Sequence, residues 1–249
     1  MLKFEPGSAI EKQLASLAQE VSDIGTRMRL PYIAVSADIG NPDPMLDSEG
    51  RPFAETVFRW IDPKFEYWKD RSFALRSTLV HATRTCAEPF YFSSGSLGSW
   101  RTNPALADIN DPEQYLAASI RSAIIVPAHL PGGAIGAVVW ASDKTFDVAD
   151  VFLREAEHLH ALTLKFIATY HDARALGPKG PAVHLTRREI QCLKWAAAGK
   201  TDSEIATIMD ISLPTVRFHV NNSAKKLGVA GKARAIQRAT VLGYIGNEV

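Results

Sequence analysis

The nineteen residues from Asp210 to Gly228, DISLPTVRFHVNNSAKKLG, constrain this chain more than any other stretch. They read as a turn and then a helix with two opposed demands. Val216, Val220, Ala224 and Leu227 recur at spacings of three and four residues, an apolar stripe that has to pack on a core. The other side carries Thr215, Arg217, Phe218, Asn221, Asn222 and Lys225, with no acid among them. Guanidinium, carboxamide and ammonium groups in that array suit base edges and phosphates. Ser212 can cap the helix and Pro214 falls in its first turn, where a missing N–H costs little. A solvated surface helix of an ordinary bundle shares this amphipathic pattern, and the flanking sequence separates the two readings.

Upstream, Thr186 with Glu189 and Thr201 with Glu204 each make an S/T-x-x-E capping box, predicting two further helix starts at close range. Leu193, Trp195, Ala196 and Ala197 give the first of these helices its buried side, and Gly199 is placed to end it in a left-handed cap. Ile205, Ala206 and Met209 do the same for the second. Asp210 and Ile211 then turn the chain into the third, a helix-turn-helix arrangement with the third helix free to enter a major groove. A fourth helix, Lys232 to Leu242, closes the bundle through Ala235, Ile236, Ala239 and Leu242.

The run LTRREIQCLKWAAAGKTDSEIATIMDISLPTVRFHVNNSAKKLGV, followed by ARAIQRATVLGYI, resembles the DNA-binding domain of LuxR-type transcription regulators. Glu189, Leu193, Gly199, Lys200, Glu204, Ile205, Ala206, Ser212, Thr215, Val216, His219, Lys226, Leu227 and Ala235 carry the resemblance. It implies that Arg217 and Asn221 read bases, with arginine to guanine and asparagine to adenine the natural pairings. It places Lys200, Thr201, Thr215, Lys225 and Lys226 on phosphates. It further implies a homodimer that sets two third helices in successive major grooves of a palindrome.

Charge is distributed accordingly. From Val183 onward ten Lys/Arg face five Asp/Glu, a net of +5, so the preceding residues carry −4 of the chain's overall +1. A basic module beside an acidic one fits nucleic-acid binding by one end. The two cysteines, Cys86 and Cys192, lie far apart, which argues against a disulfide framework or a zinc site. No run approaches the ~18 apolar residues of a membrane span, and no signal-peptide pattern opens the chain. The expectation is a soluble, cytoplasmic protein without metal or cofactor.

Before the DNA-binding module, Ile10, Leu14, Leu17, Val21 and Ile24 predict an amphipathic helix within Met1 to Met28, and Pro31 to Ile39 reads as a strand. Asn41 to Pro52 is turn-rich. Aromatic residues then crowd the chain: Phe53, Phe58, Trp60, Phe65, Tyr67, Trp68 and Phe73, with Phe90, Tyr91 and Phe92 after a predicted helix over Ser72 to Thr85. Such density suits a core, and equally the lining of a ligand cavity. Ser93 to Asn110 reads as a loop and Pro112 to Ala118 as a short helix. SAIIVPAHL and GGAIGAVVWAS flank a turn at Leu130 to Gly133 and predict a β-hairpin. A long amphipathic helix follows over Asp147 to His171. Asp172 to Val183, with two Gly and two Pro, reads as a linker.

The N-terminal part is therefore expected to be α+β, an α-β-α sandwich around an antiparallel sheet, ahead of an all-α four-helix module. The boundaries are residues 1–172 for a sensor and dimerisation domain, 173–184 for the linker and 185–249 for the helix-turn-helix domain. The order of elements resembles the autoinducer-binding domain of the LuxR type, SIRSAIIVPAHLPGGAIGAVVWASD being the best local match. In that family the domain encloses an acyl-homoserine lactone, held by a tryptophan donor and an aspartate acceptor. Counting from Pro89 and Phe90, the resemblance sets Phe92 at a second tryptophan, Ser77 at the aspartate, Trp68 and Trp60 at tyrosines, and Lys64 or Phe65 at the donor. A shifted register gives the acceptor role to Asp70. Ala123 stands where glycine is common and Val139 where threonine or serine is. The apolar lining survives and the polar anchors do not. The expected ligand is a small apolar or aromatic molecule, an acyl-homoserine lactone or another, lined by Trp60, Trp68, Phe73, Phe92 and Trp140.

Two other classes fit less well. A response regulator needs a doubly wound receiver, and no repeated strand-helix units appear. An enzyme needs a reactive constellation, and the seven histidines are scattered without metal spacing or nucleophile elbow. A ligand-independent regulator with the same DNA-binding domain remains a third possibility.

Overall fold

A computed structural model describes residues 8–41, 43–62, 77–111, 113, 119–175 and 183–246. The chain divides into two compact units, one from Met1–Leu130 and Ala134–Leu176, the other from Pro131–Gly133 and Gly177–Val249.

In the first unit, Ser8 accepts the amide of Glu11 and opens helix α1 (Ala9–Arg27). The predicted stripe of Leu14, Leu17, Val21 and Ile24 is buried. Strand β1 (Tyr32–Ser36), a single turn α2 (Phe53–Thr56) and α3 (Thr78–Thr85) follow. Next come β2 (Phe90–Ser93), β3 (Ser96–Ser99), α4 (Pro104–Ile109) and the hairpin of β4 (Ser122–His129) with β5 (Ile135–Ser142). Asp147 caps the long helix α5 (Val148–Ala173).

The strands form one antiparallel sheet in the order β1-β5-β4-β2-β3. Helices α1 and α5 cover one face, while α3 and α4 lie against the other, so the α-β-α sandwich expected from the sequence is what the chain builds. An antiparallel sheet is not a doubly wound receiver, and the response-regulator alternative is dropped on that ground. Sandwiching explains why β4, central in the sheet, is buried from Ser122 through Ala128 rather than alternating.

Side-chain parity across the sheet is the fact that matters for function. Ile33, Trp140, Ile124 and Tyr91 pair across neighbouring strands in one row on the α1/α5 face. Tyr32, Ala141, Ala123, Phe92 and Leu97 make the adjacent row on the α3/α4 face, with Val139, Ile125 and Phe90 beside them.

Ser93 to Asn110 is not the loop expected. Its small residues instead supply a tight turn, with Ser94 and Gly95 at positive φ, and the short strand β3. Asn103 caps α4 through the amide of Ala105, with Pro104 in the first turn. The described part of the helix predicted over Ser72 to Thr85 starts at Thr78, capped by Ser77. The short helix expected over Pro112 to Ala118 falls almost wholly outside the described residues. At the other end, α5 continues through Ala173 and Arg174 is still buried, so the first residues read as linker pack with the first unit.

The second unit holds α6 (Arg187–Ala197), α7 (Asp202–Met209), α8 (Leu213–Lys226) and α9 (Lys232–Val241). Both predicted capping boxes form, and Gly199 closes α6 at φ 80°, a conformation side chains resist. The buried side of α6 differs from the expectation. Cys192, Leu193 and Ala196 face inward, whereas Trp195 is 39% exposed and Ala197 lies outside. At ~100° per residue, Trp195 cannot share a face with Leu193, and helical geometry overrides its hydrophobicity.

Candidate nucleic-acid interface and ligand face

Helix α8 is anchored along the stripe read from its sequence. Val216 and Val220 pack with Cys192, Ala196 and Ile205, while Ala224 and Leu227 pack with Leu193, Ala235 and Ala239. Ser223, also buried, donates to the His219 carbonyl and needs no outside partner. This anchoring turns Arg217, Phe218, Asn221 and Lys225 outward, with Thr215 and Asn222 half-buried beside them. Phe218 is 60% exposed, an apolar ring held in water beside the cationic groups. Ser212 accepts the amide of Thr215 at 3.3 Å, and the two hydroxyls lie 2.7 Å apart at the helix start. Hydroxyls so placed are donors suited to a phosphate.

The remaining expected contacts sit around this surface. Thr201 is exposed at the head of α7, and Lys200, half-buried, precedes it. Hydrogen bonds from the amide and hydroxyl of Thr201 hold the Glu204 carboxyl below its ordinary range. Lys226 is drawn inward: its ammonium lies 2.9 Å from Glu189, whose side chain is only 4% exposed. Burial alone would raise the carboxyl of Glu189. The bonds from Lys226 and the Thr186 amide outweigh it and leave the group more acidic than usual.

Two residues that the sequence reading passed over belong to the same surface. Asp202 brings one carboxylate oxygen to 2.9 Å from Lys232 Nζ and the other to 3.7 Å from Arg217 Nε. Lys232 also donates to the Lys200 carbonyl at 3.1 Å. The outward face of α8 has no acid of its own, and α7 supplies one. Spacing within a single helix could not have revealed it.

On the sheet, the structure brings four of the expected ligand-lining residues together. Trp60, Phe92, Ala123 and Val139 meet on the α3/α4 face. Ser77 is buried at the start of α3, and its hydroxyl accepts the amide of Val80 at 3.5 Å. Trp68 and Phe73 lie outside the described residues, as do Lys64, Phe65 and Asp70. Phe90, one of the crowded aromatic residues, joins the face, as do Tyr32, Cys86, Leu106, Ile120 and Ile125, which were not anticipated.

Trp140 does not belong there. Its indole is fully buried on the opposite face and donates to the Val21 carbonyl of α1 at 2.9 Å. A methyl group added at Gly25 would meet the Trp140 ring at 2.8 Å, so α1 approaches the sheet on this residue. Adjacent strand residues point to opposite faces, so Val139 and Trp140 could never have lined one cavity. That alternation is legible in the sequence.

The family model for bacterial regulatory proteins of the luxR family matches residues 183–239. Similar curated proteins include the transcriptional activator VanR of Vibrio anguillarum, 35% identical over 139 residues that cover 53% of this chain and 55% of VanR. Another is the transcriptional activator LuxR of Aliivibrio fischeri, 29% identical over 120 residues, 48% of each chain. The chain thus spans about half the length of these two relatives. Among solved structures, Escherichia coli SdiA aligns over 94% of this chain and 92% of its own, with 21% identity and a TM-score of 0.48.

Proposed function

Because the chain carries a DNA-binding domain of the luxR family, we propose that it is a transcription regulator that binds duplex DNA through α8 and responds to a small molecule held on the α3/α4 face of its sheet. The observation that carries the reading is the division of α8 into two sides. Val216, Val220, Ala224 and Leu227 are buried, while Arg217, Phe218, Asn221 and Lys225 face out. In this reading Arg217 and Asn221 contact base edges, and Lys200, Thr201, Thr215 and Lys225 contact phosphates. Lys226 adds a phosphate contact from the position where Glu189 holds it. Residues 1–174 act as sensor and dimerisation domain, the residues from there to 184 as the linker, and two copies bind a palindrome with half-sites one helical turn apart.

The signal is a small, mostly apolar or aromatic compound. Phe92 and Trp60 supply flat apolar surface beside the small side chains of Ala123 and Ala141, the kind of lining such a compound takes. Mass spectrometry of small molecules retained by the purified chain, expressed with and without extract of its source, tests this part. Retention of no compound under either condition contradicts it.

DNA binding is tested on duplexes selected by the full chain from a random pool. Arg217→Ala costs about 1–3 kcal/mol and relaxes one base position, whereas Lys225→Ala weakens all sequences alike and lowers the salt slope by about one. Equal losses from both variants on selected and scrambled duplexes would contradict the assignment.

A further inference from the structure

Arg217 does not face solvent alone. Asp202, the first residue of α7, sets Oδ2 at 3.7 Å from Arg217 Nε, and its Oδ1 accepts from Lys232 Nζ at 2.9 Å. Lys232 is fixed in turn on the Lys200 carbonyl, so the carboxylate is held by α9 and by the turn ahead of α7. Its side chain is 29% exposed, against 64% for Arg217. A well-placed anion thus stands beside a largely exposed cation.

The geometry of the guanidinium gives this contact a direction. Nε lies on one edge of the planar fork and the two terminal nitrogens lie at its tip. An anion on the Nε edge restrains the side chain and leaves Nη1 and Nη2 for the O6 and N7 of guanine. The same carboxylate repels every phosphate that approaches this surface, whatever the sequence. Its effects on selectivity and on general affinity therefore have opposite signs.

Resting on the reading of α8 as the DNA-contacting helix, the geometry points to Asp202 as a positioning residue for Arg217, one that lowers general DNA affinity and raises discrimination at the base pair Arg217 reads. A tie that merely joins α7 to α9 through Lys232 would act on stability and would weaken all duplexes together. The two roles separate in a double-mutant cycle.

The measurement uses the full chain, its selected duplex, the same duplex with each base pair replaced in turn, and a scrambled duplex. Asp202→Asn is nearly isosteric and keeps an oxygen for Lys232 to bond. On the scrambled duplex, Asp202→Asn binds as well as the parent or up to about threefold tighter, because a repulsive charge is gone. At the base pair read by Arg217, discrimination falls about five- to tenfold. In an Arg217→Ala background, Asp202→Asn changes that discrimination no further. An equal loss on every duplex, or the same loss of discrimination with and without Arg217, overturns the assignment of Asp202. If the parent chain shows no salt-sensitive affinity for any duplex, the reading of α8 fails and takes this assignment with it. If the parent binds and discriminates but Asp202→Asn does so identically, only Asp202 is wrongly placed.

Discussion

Among the described residues, each unit buries one glutamate against a basic residue, and the two pairs are built differently. Glu11, near the start of α1, meets Arg174, just past the end of α5, 163 positions away in sequence. Arg174 also donates to the carbonyls of Leu46 and Asp47 at 2.9 and 3.2 Å, and its guanidinium lies 5.1 Å from the centre of the Tyr170 ring. Glu189 is held mostly by its own neighbourhood, taking the Thr186 amide at 2.7 Å, and then by Lys226, whose side chain remains 40% exposed. One pair depends on the whole tertiary fold, while the other is a local cap with a long-range addition. Burial of both partners makes the first sensitive to loss of either member. Solvent reaching Lys226 makes the second forgiving.

The largest effect should come from the pair in the first unit. Arg174→Met leaves the Glu11 carboxylate buried without its cation and destabilises that unit by about 3–5 kcal/mol in urea unfolding. Removing both charges, as in Glu11→Leu with Arg174→Met, should recover most of that loss. If single and double variants unfold alike, the charge pair is not what holds α1 to the end of α5.

Lys226→Met should cost less, about 1–2 kcal/mol in unfolding of the second unit, because Glu189 keeps the Thr186 amide and regains some water. A loss as large as that of Arg174→Met would abolish the contrast between the two sites. The same variant sharpens the comparison through pH. Glu189 titrates below the ordinary carboxylate value, so its contribution is complete above the unfolded value of about 4.3 and disappears as pH falls through the depressed folded one. Stability of the second unit should fall below pH ~4 in the parent, with a shallower decline in Lys226→Met, followed by circular dichroism. Parallel acid limbs would show that Lys226 is not the source of the shift.

The smallest effect belongs to a cap with no buried partner. Thr201→Ala removes the hydroxyl that accepts the Glu204 amide and should cost about 1 kcal/mol, read from the thermal midpoint of the second unit. A much larger loss would mean that the head of α7 is fixed by more than its capping box.

This contrast also explains how far each region could be read in advance. Thr186 and Glu189 are three apart, as are Thr201 and Glu204, and the buried stripe of α8 follows helical spacing. Such relations lie within one turn or one helix face, where the backbone alone sets which side chains meet. Trp195 departs from the expectation because helical geometry, rather than hydrophobicity, decides its face. In the sheet, parity carried across paired strands places Trp140 and Phe92 on opposite faces. Ser96 to Ser99 carries no strand signal of its own, because short runs of small residues form a strand only where a neighbour such as Phe90 to Ser93 offers an edge to pair with.

What the sequence by itself determined is whatever local geometry dictates: the two capping boxes, the longer helices and strands in their order, the hairpin, and the two-sided character of α8. Only the tertiary structure decided that Glu11 meets Arg174, that Asp202 stands beside Arg217, and that Trp140 donates to the Val21 carbonyl of α1. These contacts join residues from separate elements. Their partners are chosen by how helices and strands pack, which no spacing along one element encodes.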